Sequence, residues 1–310
     1  VGYAFYINLV CTTTITFCFW KELKAGFFSG GKLLDIPLAK KMLSYSWPIL
    51  ILGIAGILNQ TAGYILFPYV YKDSDAHTQL GIFGAASKIA MIMSMITQAF
   101  RYAYEPFVFG KARDKDNKET YAQAMKFFII FTLLAFLVVM GYMDILRHII
   151  GRDYWVGLKV VPIVMAGGIM TGIYFNLSFW YKLIDKTIWG AYFSGIGCAV
   201  IIGINVIFVP RYGYIACAWA GFSGNATAMV LSYLVGQRKY PIDYPLKSIF
   251  VYVLIGGLFF AIISYTNANL PVLAALAINT LVIILFIAHV LYHDFPLQKI
   301  RSRFAKNKQN

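Results

Sequence analysis

The sequence predicts an all-α polytopic membrane protein, and three observations carry that expectation. The chain is 60% hydrophobic and only 13% charged, with a mean hydropathy of +0.68. Soluble domains sit at about 45–50% apolar and about 25% charged, and an ordinary soluble core cannot hide this much apolar side chain. The solvent must then be lipid. The apolar residues also fall in continuous runs of roughly 18–25 residues, the length of a membrane-crossing helix and well beyond the roughly 10 residues of a barrel strand. Strand-like alternation is absent.

Nine helices are predicted in order, over 1–19, 44–69, 80–104, 123–143, 158–181, 188–209, 214–236, 248–266 and 272–292. The first opens on "VGYAFYINLV" with no leading polar residue. The second carries "NQT" (Asn59, Gln60, Thr61) in its middle and Pro68 further along. Three consecutive polar residues point around most of a helix, so not all can face lipid; interhelical hydrogen bonding and cavity lining both fit. The third, "GIFGAASKIAMIMSMITQAFRYAYEPF", holds Lys88, Gln98, Arg101 and Glu105. The fourth runs apolar from Phe127 on, with Lys126 near its start. Pro162, a Gly167–Gly168 pair and Asn176 mark the fifth, and proline with paired glycine makes these positions kink or gating candidates. The sixth and seventh, with Asn205 and Asn225 as candidate interhelical bonds, are separated by "PRYG" (210–213). "NANLP" (267–271) separates the eighth from the ninth.

Lys and Arg distribute unevenly among the connectors. Those at 20–43, 105–122, 182–187 and 237–247, with the tail 293–310, hold 19; the alternate set holds four. The positive-inside bias places the first set and the C-terminus in the cytoplasm. The net charge of +14 is thereby a topology signal, helped by anionic headgroups, and requires no nucleic-acid partner. Nine spans then put Val1 outside. That parity, with a valine opening directly into an apolar run, predicts a chain whose preceding spans are missing.

Polar residues inside lipid face protein or a wet cavity. On the third helix Lys88, Met95 and Tyr102 share one stripe, with Gln98, Arg101 and Glu105 on its neighbour. Gly81, Gly84, Ala85 and Ala86 allow close packing at the helix start. Lys88 lies about 12 Å along the helix from its predicted outer end. Two readings stay open: its stem snorkels to the surface, or its ammonium faces an internal cavity. For Arg101 and Glu105, an i,i+4 ion pair stands beside a functional role.

No P-loop, HExxH, GxSxG, catalytic acid pair or His/Cys cluster is present, so the residues offer no enzyme, cofactor or metal site. The cysteines Cys11, Cys18, Cys198 and Cys217 form no CxxC pair and read as small apolar residues. A carrier with a cationic interior fits best.

Five stretches in order resemble the bacterial polysaccharide-biosynthesis transporters, the O-antigen-type lipid-linked oligosaccharide flippases. They are residues 81–107, "LSYSWPILILGIAGILNQTAGYILFP" (43–68), "NLSFWYKLIDKT" (176–187), "NVIFVPRYGYIACAWA" (205–220) and "GQRKYPIDYPLK" (236–247). The superfamily also includes multidrug exporters and the lipid II flippase. The resemblance implies fourteen helices in two six-helix bundles plus an extra pair, of which this chain would hold the last nine. Residues 1–43 would be the last helix of the N-terminal bundle and a basic linker, 44–236 the C-terminal bundle, and 237–310 the extra pair and basic tail. It implies alternating-access export of an undecaprenyl-pyrophosphate-linked oligosaccharide across the bacterial inner membrane. The implied partners are that substrate, membrane lipids, H⁺ or Na⁺ as candidate coupling ions, and candidate polysaccharide polymerase machinery. Lys88 and Arg101 would hold the anion, and Gln98, Asn59 and Gln60 would line the cavity. Relatives are expected to carry an acid–base pair after "NQT", where this chain has Gly63 and Tyr64. The alternative is a cation-coupled small-molecule exporter, which would want acidic cavity residues that the predicted spans lack.

Overall fold

A computed structural model of the chain describes residues 2–22, 24, 35–110 and 117–294. The basic stretches 25–34, 111–116 and 295–310, with their share of the charge count, lie outside the described residues. Among the described residues, nine long helices carry the nine predicted runs: α1 (Gly2–Cys18), α2 (Ile36–Val70), α3 (Ala76–Gly110), α4 (Asn117–Gly141), α5 (Val161–Leu177), α6 (Ile188–Tyr212), α7 (Tyr214–Lys239), α8 (Leu246–Asn269) and α9 (Val272–Asp294). No strand occurs among the described residues. Among the described residues, six helical stretches are long and apolar enough to cross a membrane: α3, α4, 152–183 around α5, α6, α8 and α9. The protein is an all-α polytopic membrane protein.

α1, at 17 residues, is shorter than these, and α7 lies outside the six for a physical reason. Its first half reads "ACAWAGFSGNATA", rich in small and weakly polar residues, and it packs against both α5 and α6. A helix surrounded by protein needs small residues for close approach more than it needs hydropathy. Gly197 of α6 and Gly224 of α7 show this directly: a Cβ on either would meet the other's carbonyl oxygen, at 2.9 and 2.7 Å. Gly213 turns α6 into α7 at φ +55°, a left-handed conformation that glycine adopts without strain.

The chain divides into two compact units, Val1–Trp47 and Pro48–Asn310. Within the first, α1 holds four threonines in an apolar helix. Thr13, Thr14 and Thr16 each donate to the carbonyl four residues back, at 2.7–2.9 Å, so the hydroxyls are satisfied without water.

In the second unit α3, α5 and α7 pack on one another, and α4 joins α5 to the α8–α9 pair. The fifth predicted span is not one helix. A 3₁₀ segment, Arg152–Val160, leads into α5, which ends at Ser178 before a short helical turn, Phe179–Leu183. Two polar clusters fasten α8 and α9 to α4 at opposite ends. At one end, Asp294 of α9 pairs with Lys126 of α4 and accepts from Tyr252 of α8 at 2.6 Å. At the other, the fully buried Asn279 of α9 accepts from Thr266 at 2.6 Å and donates to the Gly141 carbonyl at 3.0 Å. Asn267 donates to the Met140 carbonyl there at 3.1 Å. Asn267 and Asn279 are thus interhelical bonds, the role predicted for Asn205. Asn205 itself donates to Ile201 on its own helix.

Candidate functional site

Lys88 sits on α3, exposed, with no ion pair among the described residues. It lines a cleft of about 500 Å³. The floor is the α3 surface at Gly81, Gly84 and Ala85, where missing or minimal side chains leave the helix backbone close to the cavity. Tyr64 of α2 enters from one neighbour, its ring 3.7 Å from where a Gly84 Cβ would stand. Tyr154 of the 3₁₀ segment enters from another, 3.5 Å from the Gly81 position. Ser87 and Met91 complete the lining, and no carboxylate is part of it. The cleft offers one ammonium and two tyrosines, with their rings and phenols, while the Ser87 Oγ is buried. That set suits an anionic ligand with hydroxyl edges and repels nothing but cations.

The 3₁₀ segment is a fixed wall. A Cβ on Gly157 would stand 2.8 Å from the Ile82 carbonyl oxygen, so the segment lies tight on α3. Tyr214 of α7 donates to the Val156 carbonyl at 3.1 Å. Trp155 donates to the Arg147 carbonyl at 3.0 Å, and the Arg147 guanidinium lies 4.5 Å over the Trp155 ring while pairing with Asp144. Such cation–π contacts hold exposed segments modestly each; with the Gly157 fit they fix where Tyr154 stands.

The other residues singled out from the sequence are spread along the unit. Arg101 lies on α3 thirteen residues beyond Lys88, about 20 Å along the axis, so the two cations are not brought together. Its guanidinium is 4.8 Å over the Phe175 ring of α5, and its buried Nε has no acceptor. The i,i+4 pair with Glu105 is not formed: Glu105 pairs across to Lys182 at 2.7 Å. The reason is register. α3 and α5 lie face to face with Thr97 against Gly172 and Arg101 against Phe175, which delivers the turn after α5 to Glu105. Gln98 donates to Tyr102 of its own helix at 3.3 Å. Gln60 is exposed one turn from Tyr64 on α2, and Asn59 beside it is half-buried with Oδ1 unpartnered.

The three kink or gating candidates lie in α5, which runs as one helix from Val161 to Leu177. Pro162 occupies the first turn of α5, where a missing N–H breaks no bond. Gly167 and Gly168 leave α5 unbroken. A Cβ on Gly167 would stand 3.3 Å from the Phe222 Cα of α7, and one on Gly168 2.9 Å from Met93 of α3. They are contact glycines that let α5 pack closely on both sides. The actual interruption of this span is at Ser178.

Sequence reasoning passed over Tyr154, Ser87 and Tyr64 as site residues. Tyr64 was noted only as the place of a missing charge pair. Tyr154 carries no spacing signal, since only tertiary packing brings it to α3.

No family model and no curated protein matches the chain. Among solved structures, the fold matches that of the lipid II flippase MurJ in an inward closed conformation, with a TM-score of 0.63 and 17% sequence identity. The match covers 86% of this chain and 57% of that one. At that identity the likeness is one of fold, and the chain spans a little over half the length of the structure it matches.

Proposed function

We infer that this chain belongs to a transporter that flips a lipid-linked, anionic glycan across the bacterial inner membrane, with its C-terminus in the cytoplasm. The narrower form is export of an undecaprenyl-pyrophosphate-linked oligosaccharide for surface polysaccharide by alternating access. One observation carries this reading: Lys88, unpaired among the described residues, lines a carboxylate-free cleft in a chain with a flippase fold. An anion of about two charges is prohibitive in hydrocarbon. It needs a cation that is not already neutralised, and a flexible lysine suits a transient phosphate contact. The prenyl tail needs no site in the cleft because it is stable in lipid. Rocking of one helix bundle against another would expose the cleft to alternate sides. Nothing in the cleft favours a cation exporter, whose substrate Lys88 would repel, and nothing in it has the donor set of an enzyme.

Complementation tests the reading. Cells lacking their own O-antigen flippase receive the wild type, Lys88→Ala or Lys88→Arg, at expression matched by blot. Surface polysaccharide should return with the wild type and Arg and fail with Ala. Full rescue by Ala would make Lys88 a snorkelling anchor instead.

A further inference from the structure

The cleft holds more than a cation. Gly81 and Gly84 stand one turn apart on α3, and each meets the edge of a tyrosine ring, Tyr154 at 3.5 Å and Tyr64 at 3.7 Å from the absent Cβ. A side chain at either glycine would fill the space between ring and helix. The result is a shallow floor bounded by the aromatic carbon of two tyrosines, with Lys88 on the next turn; the Ser87 Oγ is buried and offers a ligand no edge. An amphipathic ring fits this description: apolar C–H faces, a rim of hydroxyls, and a negative group within reach of an ammonium. A pyranose joined to phosphate is such a ligand. A nucleobase would ask for amide or carbonyl partners, which the lining lacks, and a plain acyl chain would leave the hydroxyls unused.

We propose that Tyr154, with Tyr64, forms a sugar-reading platform beside Lys88, so that Tyr154 sets the preference for a glycosylated over a bare pyrophosphate ligand. This rests on the reading of Lys88 as an anion-holding group. Tyr154 is suited to the task because it is half-exposed yet fixed. Gly157 wedges its segment against Ile82, Tyr214 bonds the Val156 carbonyl, and Trp155 is clamped to Arg147. A rigid ring loses little conformational entropy on contact, which is why preorganised tyrosines make efficient recognition surfaces. Lys88 supplies attraction shared by all anionic ligands, and Tyr154 supplies the discrimination.

The test measures Kd for two probes with the purified protein in nanodiscs: farnesyl pyrophosphate, and the same lipid carrying one N-acetylglucosamine. The wild type should bind the sugar-bearing probe more tightly. Tyr154→Ala should weaken that probe by about tenfold, the scale of one lost aromatic contact, and leave farnesyl pyrophosphate unchanged. Tyr154→Phe, which keeps the ring, should stay near wild type. Lys88→Ala should weaken both probes. If Tyr154→Ala weakens both equally or neither, or if the wild type does not prefer the sugar, the platform is wrong while Lys88 stands. If the wild type binds neither probe, or Lys88→Ala changes neither, the anion reading fails and the platform with it.

Discussion

Lys88 and Lys126 both lie within predicted spans and meet opposite surroundings. Lys126 on α4 is 13% exposed, is paired with Asp294 of α9, and shares that carboxylate with Tyr252 of α8. Lys88 on α3 faces a cleft with hydroxyls and aromatic rings and no acid in its lining. Both charges are unwelcome in lipid. One is answered by another part of the same chain, so it fastens helices together. The other meets no carboxylate in the lining of its cleft. Glu105 and Lys182 repeat the first pattern between α3 and the turn after α5. Lys126 and Lys182 each meet a carboxylate from another element; Arg101 lies over the Phe175 ring, and Lys88 lines a cleft with no carboxylate.

Substitutions sharpen this contrast, and the largest effect belongs to the Lys126 side. Asp294→Ala strands a mostly buried ammonium, and such losses cost about 3–5 kcal/mol. The thermal unfolding midpoint in detergent should fall strongly. The double replacement Lys126→Met with Asp294→Leu should recover most of it, since an apolar pair of similar volume is close to neutral. A double variant as unstable as the single one would break the assignment. Next comes Asn279→Ala. It takes the Asn279 amide donor from the Gly141 carbonyl and the Asn267 Oδ1, while the Thr266 hydroxyl keeps the Ile263 carbonyl; the loss costs about 1–3 kcal/mol, read by the same melt. Glu105→Gln ranks below it at about 1 kcal/mol or less, because the pair is partly exposed. The loss should shrink further in high salt. Smallest is Lys88→Ala, with a stability change within about 0.5 kcal/mol. A large drop there would mean Lys88 holds the fold rather than a ligand.

How much of this was legible in sequence follows from range. The helices were legible because each is announced by a continuous apolar run, and all nine runs fall on helices. Breaks set by local chemistry were legible too, as at Gly213. Boundaries erred where helices continue past the apolar core: α3 reaches Ala76 and Gly110, well beyond 80–104. Pairings across helices were not legible. Lys126 and Asp294 are 168 positions apart, and nothing local distinguishes Lys126, which is neutralised, from Lys88, which is not. The Arg101–Glu105 spacing suggested a pair that the facing helix pre-empted. Gly167–Gly168 resembled a hinge because the sequence does not say that α3 and α7 press on either side. Tyr154 was missed because a connector residue acquires meaning only when its segment folds back onto α3.

The most direct measurement of the central contrast is transport per folded molecule. Lys88→Gln and the Lys126→Met/Asp294→Leu double variant would be compared in flippase-deficient cells, with surface polysaccharide normalised to folded protein. Loss in the first with near-wild-type export in the second is the predicted result. Export retained by Lys88→Gln and abolished in the double variant would contradict the account, placing the working charge in the α4–α8–α9 fastening instead of the cleft.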